Sequence, residues 1–281
     1  MAYERLFSPF RLGNISLKNR IVVLPYGTTM VHQGALTEVD IAHYNVIAGS
    51  GVGLIITGAS IVHPSSAMKA RKMVEIYDEN VFGGLQRRAD VIRGHGAKLF
   101  GQIFHVGREM GGLESDYAPY APSPIRSPRD PFPPHELDKT EIATLVKAFG
   151  RSAETLQRAG YDGVEIHGAH GYLVAQFLSP STNHRSDCYG GTPERRLRFL
   201  IEVIESIREH CGDDFGLGVR LSATEELIDG LEVADTAHIA TALAVHGAVH
   251  VLNITMGVRG NYVKDMTAPD AVAANAASGI R

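Results

Sequence analysis

The chain has no tryptophan and only two cysteines, Cys188 and Cys211, among its 281 residues. The cysteines lie far apart and form no CxxC pattern, which argues against a disulfide framework and against a cysteine-based metal site. No apolar run reaches the roughly 18–20 residues that a membrane span needs, and residues 1–5 lack the apolar core of a signal peptide. A formal charge of −4 gives no basic surface for nucleic acid or anionic lipid. These absences predict a cytoplasmic protein that binds neither nucleic acid nor a membrane.

What the sequence does contain is a repeated pairing of a short, β-rich apolar run with a helical pattern. Hydrophobic residues make up 44% of the chain, which is enough to exclude a disordered protein. The runs predict six strands: Arg20–Leu24, Gly53–Thr57, Lys98–Phe104, Gly163–His167, Phe215–Leu221 and Ala248–Ile254. The spacing of apolar residues predicts five helices and the start of a sixth: Glu38–Ser50, Asn80–His95, Thr140–Ala159, Pro193–His210, Val233–Ala244 and Thr267–Arg281.

Strands that alternate with helices predict a parallel sheet whose strands are joined by crossovers. Both an open, doubly wound sheet and a closed (β/α)8 barrel have this pattern. The barrel is favoured because no GxGxxG or GxxxxGK fingerprint follows the first strand. Polar residues also end several different runs, and only a barrel gathers all strand ends around one mouth. The prediction is therefore a (β/α)8 TIM barrel that is incomplete in this chain, with about six β/α units in residues 1–281 and strands 7 and 8 missing at the C-terminal side.

The densest polar cluster follows the fourth predicted strand. His167 ends that strand, and His170 and Tyr172 follow in the next loop. Two imidazoles at a strand end can hold a developing oxyanion, and a phenol beside them can supply a proton. The alternative is a metal site built on the histidine pair, since histidine is a common metal ligand. That site would need a third ligand, for which the candidates are His105, His184 and Glu165.

Two polar residues interrupt apolar runs that otherwise predict buried strands. Gln102 carries a buried amide, which must find partners and would match the edge of a heterocycle such as a flavin. Arg220 carries a guanidinium whose burial is costly without a partner, and it could hold an anionic aromatic ring. The alternatives are a Gln102 bonded to neighbouring backbone and an Arg220 paired with a barrel carboxylate such as Glu165.

Nine short motifs extend over nearly the whole chain, from Leu6 to about Ile254. They are residues 6–10 (LFSPF), 17–21 (LKNRI), 51–57 (GVGLIIT), 105–108 (HVGR), 162–167 (DGVEIH), 171–173 (GYL), 176–180 (QFLSP), 185–191 (RSDCYGG) and 218–222 (GVRLS). With these motifs the chain resembles the old yellow enzyme family of NADH:flavin oxidoreductases. The resemblance is greatest to the branch that includes 2,4-dienoyl-CoA reductase and trimethylamine dehydrogenase.

The resemblance implies a barrel that binds FMN non-covalently at its mouth. It implies five residues around the isoalloxazine ring: Pro25, Gly27, Ala59, Gln102 and Arg220. It also implies that His167 and His170 bind the substrate and that Tyr172 donates a proton. The implied reaction passes hydride from NAD(P)H through the flavin to an activated C=C bond, as in enones. The family's site for the FMN phosphate lies on strands seven and eight, after Arg281.

The resemblance also leaves alternatives and departures. Many relatives carry Thr or Cys at the position of Gly27, where the side chain tunes the flavin. The histidine pair matches the alkene reductases better than the dienoyl-CoA reductases. A flavin-dependent amine or N-methyl dehydrogenase and a metal-dependent hydrolase using the histidine pair are the alternative functions. Multidomain relatives add a [4Fe–4S] centre and FAD, which this protein would share if it continues beyond Arg281. The expected partners are a small-molecule substrate and further copies of the same chain.

Overall fold

A computed structural model of the protein describes residues 3–110 and 115–258. Its centre is a curled sheet of six parallel strands, which we label as follows: β1 (Val22–Val23), β2 (Leu54–Ile61), β3 (Lys98–Phe104), β4 (Gly163–Gly168), β5 (Gly216–Ser222) and β6 (Val251–Thr255). Each strand is hydrogen-bonded to the next one along the chain. This sequential order confirms the barrel-type sheet, because a doubly wound sheet reverses its order at a switch point.

Five helices follow the strands and cover the outer face of the sheet: α1 (Glu38–Gly49), α2 (Phe82–Gly94), α3 (Lys139–Arg158), α4 (Pro193–Cys211) and α5 (Val233–His246). The five complete helical predictions are confirmed to within a few residues. The start of α3 shows why, since Asp138 and Glu141 form a reciprocal capping box there. The predicted helix at Thr267–Arg281 lies outside the described residues. Within the described ranges, no helix combines the length and apolar character that a bilayer span requires.

Short elements in the loops were not predicted, because segments of two to six residues show no clear periodicity in a sequence. The short strands are Phe10–Leu12 with Ile15–Leu17, Val31–His32 with Ala35–Leu36, Val74–Glu75 beside β2, and Tyr120–Ala121 with His135–Glu136. The short helices are Glu4–Phe7 and Leu173–Leu178, with single 3₁₀ turns at Pro64–Ser66, Glu79–Val81 and Gly107–Met110. The pairing of the two short strands at Tyr120–Ala121 and His135–Glu136 gives regular structure to part of the proline-rich segment between β3 and α3.

The lower part of the barrel interior is apolar. Phe100 on β3 fills the space that two glycines leave on the neighbouring strands, because a Cβ at Gly163 or Gly216 would lie within 2.5 Å of its ring. The hairpin formed by residues 10–17 closes this end, and its Leu12 and Ile15 pack into the same cluster as Phe100. Side chains alternate along a strand, so Gln102 and Phe104 follow Phe100 toward the carboxyl ends of the strands.

The two outermost strands face a common hollow. A cavity of about 330 Å³ is lined by Val22 and Leu24 from the β1 side and by Val251 and Ile254 from β6. Among residues 3–110 and 115–258, no other strand pairs with the outer edge of β1 or β6. The sheet therefore curves as a barrel does, so that its first and last described strands approach the same interior.

A buried ion pair joins the first two helices. Arg88 on α2 donates to Asp40 on α1 over 3.0 Å and to the hydroxyl of Tyr161 over 2.9 Å. The side chains of Arg88 and Asp40 are only 3% and 2% exposed. A buried charge that loses its partner is strongly destabilising, so the pair ties the two helices together.

We predict that Arg88→Ala lowers the free energy of unfolding by about 3–5 kcal/mol, because Asp40 is left buried without its cation. The adjacent Arg87 provides the control, since it pairs with Glu38 where the side chains are 56% and 75% exposed. Arg87→Ala should cost no more than about 1 kcal/mol. Urea unfolding of both variants measures the difference, and equal losses would contradict a structural role for the buried pair.

Candidate functional site at the barrel mouth

The predicted site residues converge at the carboxyl ends of β3 to β6. His167 on β4 lies in register with Arg220 on β5, and Arg220 lies in register with Asn253 on β6. One layer deeper, Gln102 on β3 lies in register with Glu165 on β4. Inward side chains of parallel strands form such layers in a barrel. The arrangement therefore brings together polar side chains from four strands in one hollow.

The two histidines and Tyr172 form a compact aromatic group above this hollow. The ring of His167 lies 5.1 Å from that of His170 and 4.8 Å from that of Tyr172, in edge-on contacts between ring centroids. Phe104 packs against Tyr172 at 5.1 Å. His170 has a φ of +58° and Gly171 a φ of +74°, so the chain turns sharply after β4. This turn keeps His170 and Tyr172 beside His167 rather than in the following helix.

Burial keeps both imidazoles uncharged. It lowers the pKa of His167 well below its ordinary value, and the neighbouring His170 and Arg220 lower it further. Burial, with a contribution from Arg220, lowers the pKa of His170 to about 3. The backbone N–H of Ala169 donates to Nδ1 of His167 over 3.3 Å. A neutral ring that accepts at Nδ1 carries its proton on Nε2, so His167 is an uncharged N–H donor.

Arg220 is a partly buried cation with weak protein contacts. Its guanidinium donates to the carbonyl of Pro25 over 3.4 Å and to Oγ1 of Thr255 over 3.3 Å. Its buried Nε has no hydrogen-bond partner among the described residues. Burial lowers the pKa of Arg220, and the negative charge of Glu165 opposes that shift. Guanidinium nonetheless stays charged in proteins, so this one retains capacity for an anionic partner.

The alternative of an Arg220–Glu165 ion pair is wrong for the described residues. Glu165 instead accepts N–H groups from two amides, Gln102 over 2.7 Å and Asn253 over 2.9 Å. The alternative of a Gln102 tied to backbone is wrong as well, because its amide nitrogen donates to Glu165. Since that nitrogen is engaged, the carbonyl oxygen is the acceptor that Gln102 retains.

The remaining predicted residues lie on the first two strand ends. Gly27 and Ala59 line the same small cleft, and Ala59 and Tyr172 both pack against the cluster that holds Phe104. A Cβ at Gly27 would meet no atom within 4 Å, so packing does not require glycine there. Pro25, two residues before Gly27, connects this cleft to Arg220, because its carbonyl accepts a hydrogen bond from the guanidinium. All eight predicted site residues thus border one region, although their roles remain predictions.

The metal-site alternative finds no donor set in the described part of the chain. No three His, Cys, Asp or Glu side chains converge there. His105 is bonded to Ser65 and stacked on Tyr120, and Glu165 is occupied by the two amides. The histidine pair therefore gains no third ligand from these residues.

Sequence reasoning missed several residues that shape the site. Asn253 and Thr255 bind Glu165 and Arg220, and the side-chain hydroxyl of Thr255 also lies 3.1 Å from Nε2 of His170. Ser222 accepts the backbone N–H of His170 over 3.2 Å. The alternation of side chains along β6 could have indicated Asn253 and Thr255, since both share the face that lies beside Arg220.

Comparison with known proteins gives the family that the motifs predicted. The family model described as "NADH:flavin oxidoreductase / NADH oxidase family" matches residues 5–274. The NADH oxidase of Thermoanaerobacter brockii is 37% identical over 258 residues, which cover 91% of this chain and 40% of that protein. This chain thus spans about two fifths of that relative's length.

Solved structures show the same similarity. A 2-naphthoyl-CoA reductase in complex with 2-naphthoyl-CoA matches with a TM-score of 0.84 and 30% identity, over 91% of this chain and 41% of that one. The old yellow enzyme homologue from Zymomonas mobilis matches with a TM-score of 0.82 and 28% identity, over 90% of this chain and 74% of that one. The family match covers most of the sequence, and the neighbours share the barrel-type fold. The chain belongs to the NADH:flavin oxidoreductase / NADH oxidase family.

Proposed function

We propose that this protein is an FMN-dependent oxidoreductase that transfers hydride from NAD(P)H, through the flavin, to an activated C=C bond. The observation that carries the proposal is the neutral pair His167 and His170, with Tyr172 beside it and the Arg220 cation in register with His167 on the next strand. Residues 1–281 would contribute an FMN-binding barrel domain. The similarity to a 2-naphthoyl-CoA reductase and an old yellow enzyme homologue supports reductive chemistry.

The residues at the mouth fit the isoalloxazine ring. Arg220 has a buried N–H without a partner among the described residues, which suits a ring that becomes anionic when reduced. Gln102 retains a carbonyl acceptor for an N–H at the ring edge. Pro25, Gly27 and Ala59 would form the opposite wall, where Gly27 leaves open space. When bound, FMN would supply the hydride chemistry that no amino-acid side chain provides.

The histidine pair would bind and polarise the substrate. Two neutral N–H donors that converge on a carbonyl oxygen stabilise the negative charge that develops there during conjugate reduction. Because the imidazoles are uncharged, they provide this stabilisation without giving up a proton. Ser222 and Thr255 hold the backbone and ring of His170 in place. Tyr172 lies next to His167 and would protonate the carbon adjacent to the carbonyl.

Spectra of the purified whole protein test the proposed function directly. Denaturation should release FMN, and anaerobic NADH or NADPH should bleach the visible absorption of the oxidised flavin. Adding 2-cyclohexenone should restore that absorption. If the enone does not restore the absorption and a secondary or tertiary N-methylamine bleaches it, the protein is an amine dehydrogenase instead. A colourless protein would contradict the proposal.

Size-exclusion chromatography of the same sample would decide whether it forms the expected homo-oligomer.

We predict that Tyr172→Phe slows reoxidation of the reduced protein by 2-cyclohexenone by about 10²–10⁴-fold, the usual contribution of a positioned general acid. Reduction by NAD(P)H should stay within about twofold of the wild type, because the phenol takes no part in it. Anaerobic stopped-flow measurement separates the two half-reactions. Equal losses in both would show that Tyr172 is not the proton donor.

We also predict that the apparent Kd for 2-cyclohexenone in reoxidation stays constant between about pH 5 and pH 8. An ordinary histidine would gain a proton in this window, since its unperturbed pKa is about 6.5. The lowered pKa values of His167 and His170 move protonation to more acidic pH, so the pair stays neutral throughout. Stopped-flow titrations across the window check this, and a transition near pH 6.5 that disappears in His170→Asn would contradict it.

A further inference from the structure

A buried carboxylate lies one layer below the mouth and connects three strands. Glu165 on β4 is fully buried. Its Oε1 accepts the amide N–H of Gln102 on β3 over 2.7 Å, and its Oε2 accepts that of Asn253 on β6 over 2.9 Å. Each carboxylate oxygen thus holds the amide of a different strand. The contact to β6 is the more informative, because β5 lies between β4 and β6.

The strand that Glu165 reaches across carries a glycine at the level of the carboxylate. Gly218 on β5 lies in register with Glu165. A Cβ at Gly218 would lie 3.7 Å from Cγ of Glu165 and 2.9 Å from Cγ1 of Val251. A Cβ there would thus be in ordinary contact with the glutamate and too close to Val251, and the glutamate extends past the bare backbone of Gly218 to Asn253. The sequence therefore combines a glycine, a glutamate and two amides on four neighbouring strands to build one network.

The network fixes which atoms the amides can offer to a ligand. An amide carries two N–H donors and one carbonyl acceptor, and a free glutamine can present either end. Because the nitrogen of Gln102 is bound to Glu165, reversing this amide would bring two oxygens together. Such a contact between buried acceptors is unfavourable. The carboxylate therefore determines that Gln102 has an oxygen available for other contacts.

The same carboxylate sets the electrostatic field around Arg220. Burial raises the pKa of Glu165, whereas the hydrogen bonds from Asn253 and Gln102 and the charge of Arg220 oppose that shift. The titratable groups around Arg220 are Glu165 one layer deeper, His167 in register with Arg220, and His170 in the loop that follows β4. Glu165 is the one acidic group among these described residues. It partly offsets the guanidinium charge without forming a direct ion pair.

We propose that Glu165 is a positioning residue for the flavin site: it orients the Gln102 amide so that its oxygen accepts from the ring edge, and it moderates the charge that Arg220 presents to the ring. The identity of the ring rests on the proposed function, whereas the orientation of the amides does not. Nothing in this role requires Glu165 to touch the substrate or the flavin.

The test is Glu165→Gln, which keeps the shape of the side chain and removes its charge. The introduced NH₂ opposes one of the two amide donors, so that amide must rotate. The expected results are FMN binding weaker by about tenfold or more, the range of one lost hydrogen bond to a charged group, and a higher midpoint potential. The potential rises because a negative charge near the reduced, anionic ring is removed.

Two further variants separate positioning from general stability. Glu225→Gln is the matched control, because Glu225 is also buried and also accepts two hydrogen bonds, from Ser179 and Leu231. It should leave the flavin potential unchanged. Glu165→Asp keeps the charge but is too short to reach both amides. Glu165→Asp should weaken FMN binding while the midpoint potential stays near the wild-type value. It replaces Glu165→Gln as the test if that variant fails to fold.

A measurement without flavin keeps the two proposals distinguishable. In ¹⁵N NMR of the flavin-free protein, the side-chain NH₂ groups of Gln102 and Asn253 should be protected from hydrogen exchange, and Glu165→Gln should remove that protection for at least one. A wild-type protein that binds no FMN but shows this protection would overturn the proposed function and retain the amide orientation. Unprotected amides in the wild type, or a potential that shifts equally in Glu165→Gln and Glu225→Gln, would overturn the positioning role.

Discussion

A partly buried guanidinium within the sheet dictates how the upper half of this barrel is built. Arg220 cannot easily lose its proton, so its surroundings must accommodate a permanent positive charge. They do so with weak dipoles at long distance, from Pro25 and Thr255, and with a carboxylate one layer below that makes no direct contact. Burial is the main reason that the nearby imidazoles have lowered pKa values, and the charge of Arg220 adds to that effect. The cation therefore lies between two uncharged imidazole groups and the amides that Glu165 orients.

The interior divides sharply between its two ends. At the amino ends of the strands, Phe100 fits against Gly163 and Gly216, and the N-terminal hairpin seals the cluster with apolar side chains. One step further, the inward positions become polar at Gln102 and Glu165. Barrel enzymes commonly separate stability and chemistry in this way. Here the change takes place within a single strand, from Phe100 to the next inward position, Gln102.

Much of this arrangement could be predicted from the sequence, for a physical reason. Gln102 and Arg220 are polar residues within apolar runs, and such residues are conspicuous because burial without partners is costly. The helices were equally clear, since Asp138 and Glu141 mark the start of α3. Partners across strands were harder. Register is a property of the folded sheet, so the sequence did not indicate that Glu165 binds amides rather than Arg220. The short hairpins lacked a periodic signal altogether.

Gly27 has a consequence for how this site can change over time. It borders the mouth, its backbone is not in the left-handed region, and a side chain added there would meet no neighbour within 4 Å. Gly58, close to it, is the opposite case, because a Cβ there would overlap the carbonyl oxygen of Tyr26. Evolution or a protein engineer can therefore install new chemistry at the first of these two glycines and not at the second. The wall of the pocket thus accepts a side chain at Gly27, whereas the backbone around Gly58 excludes one.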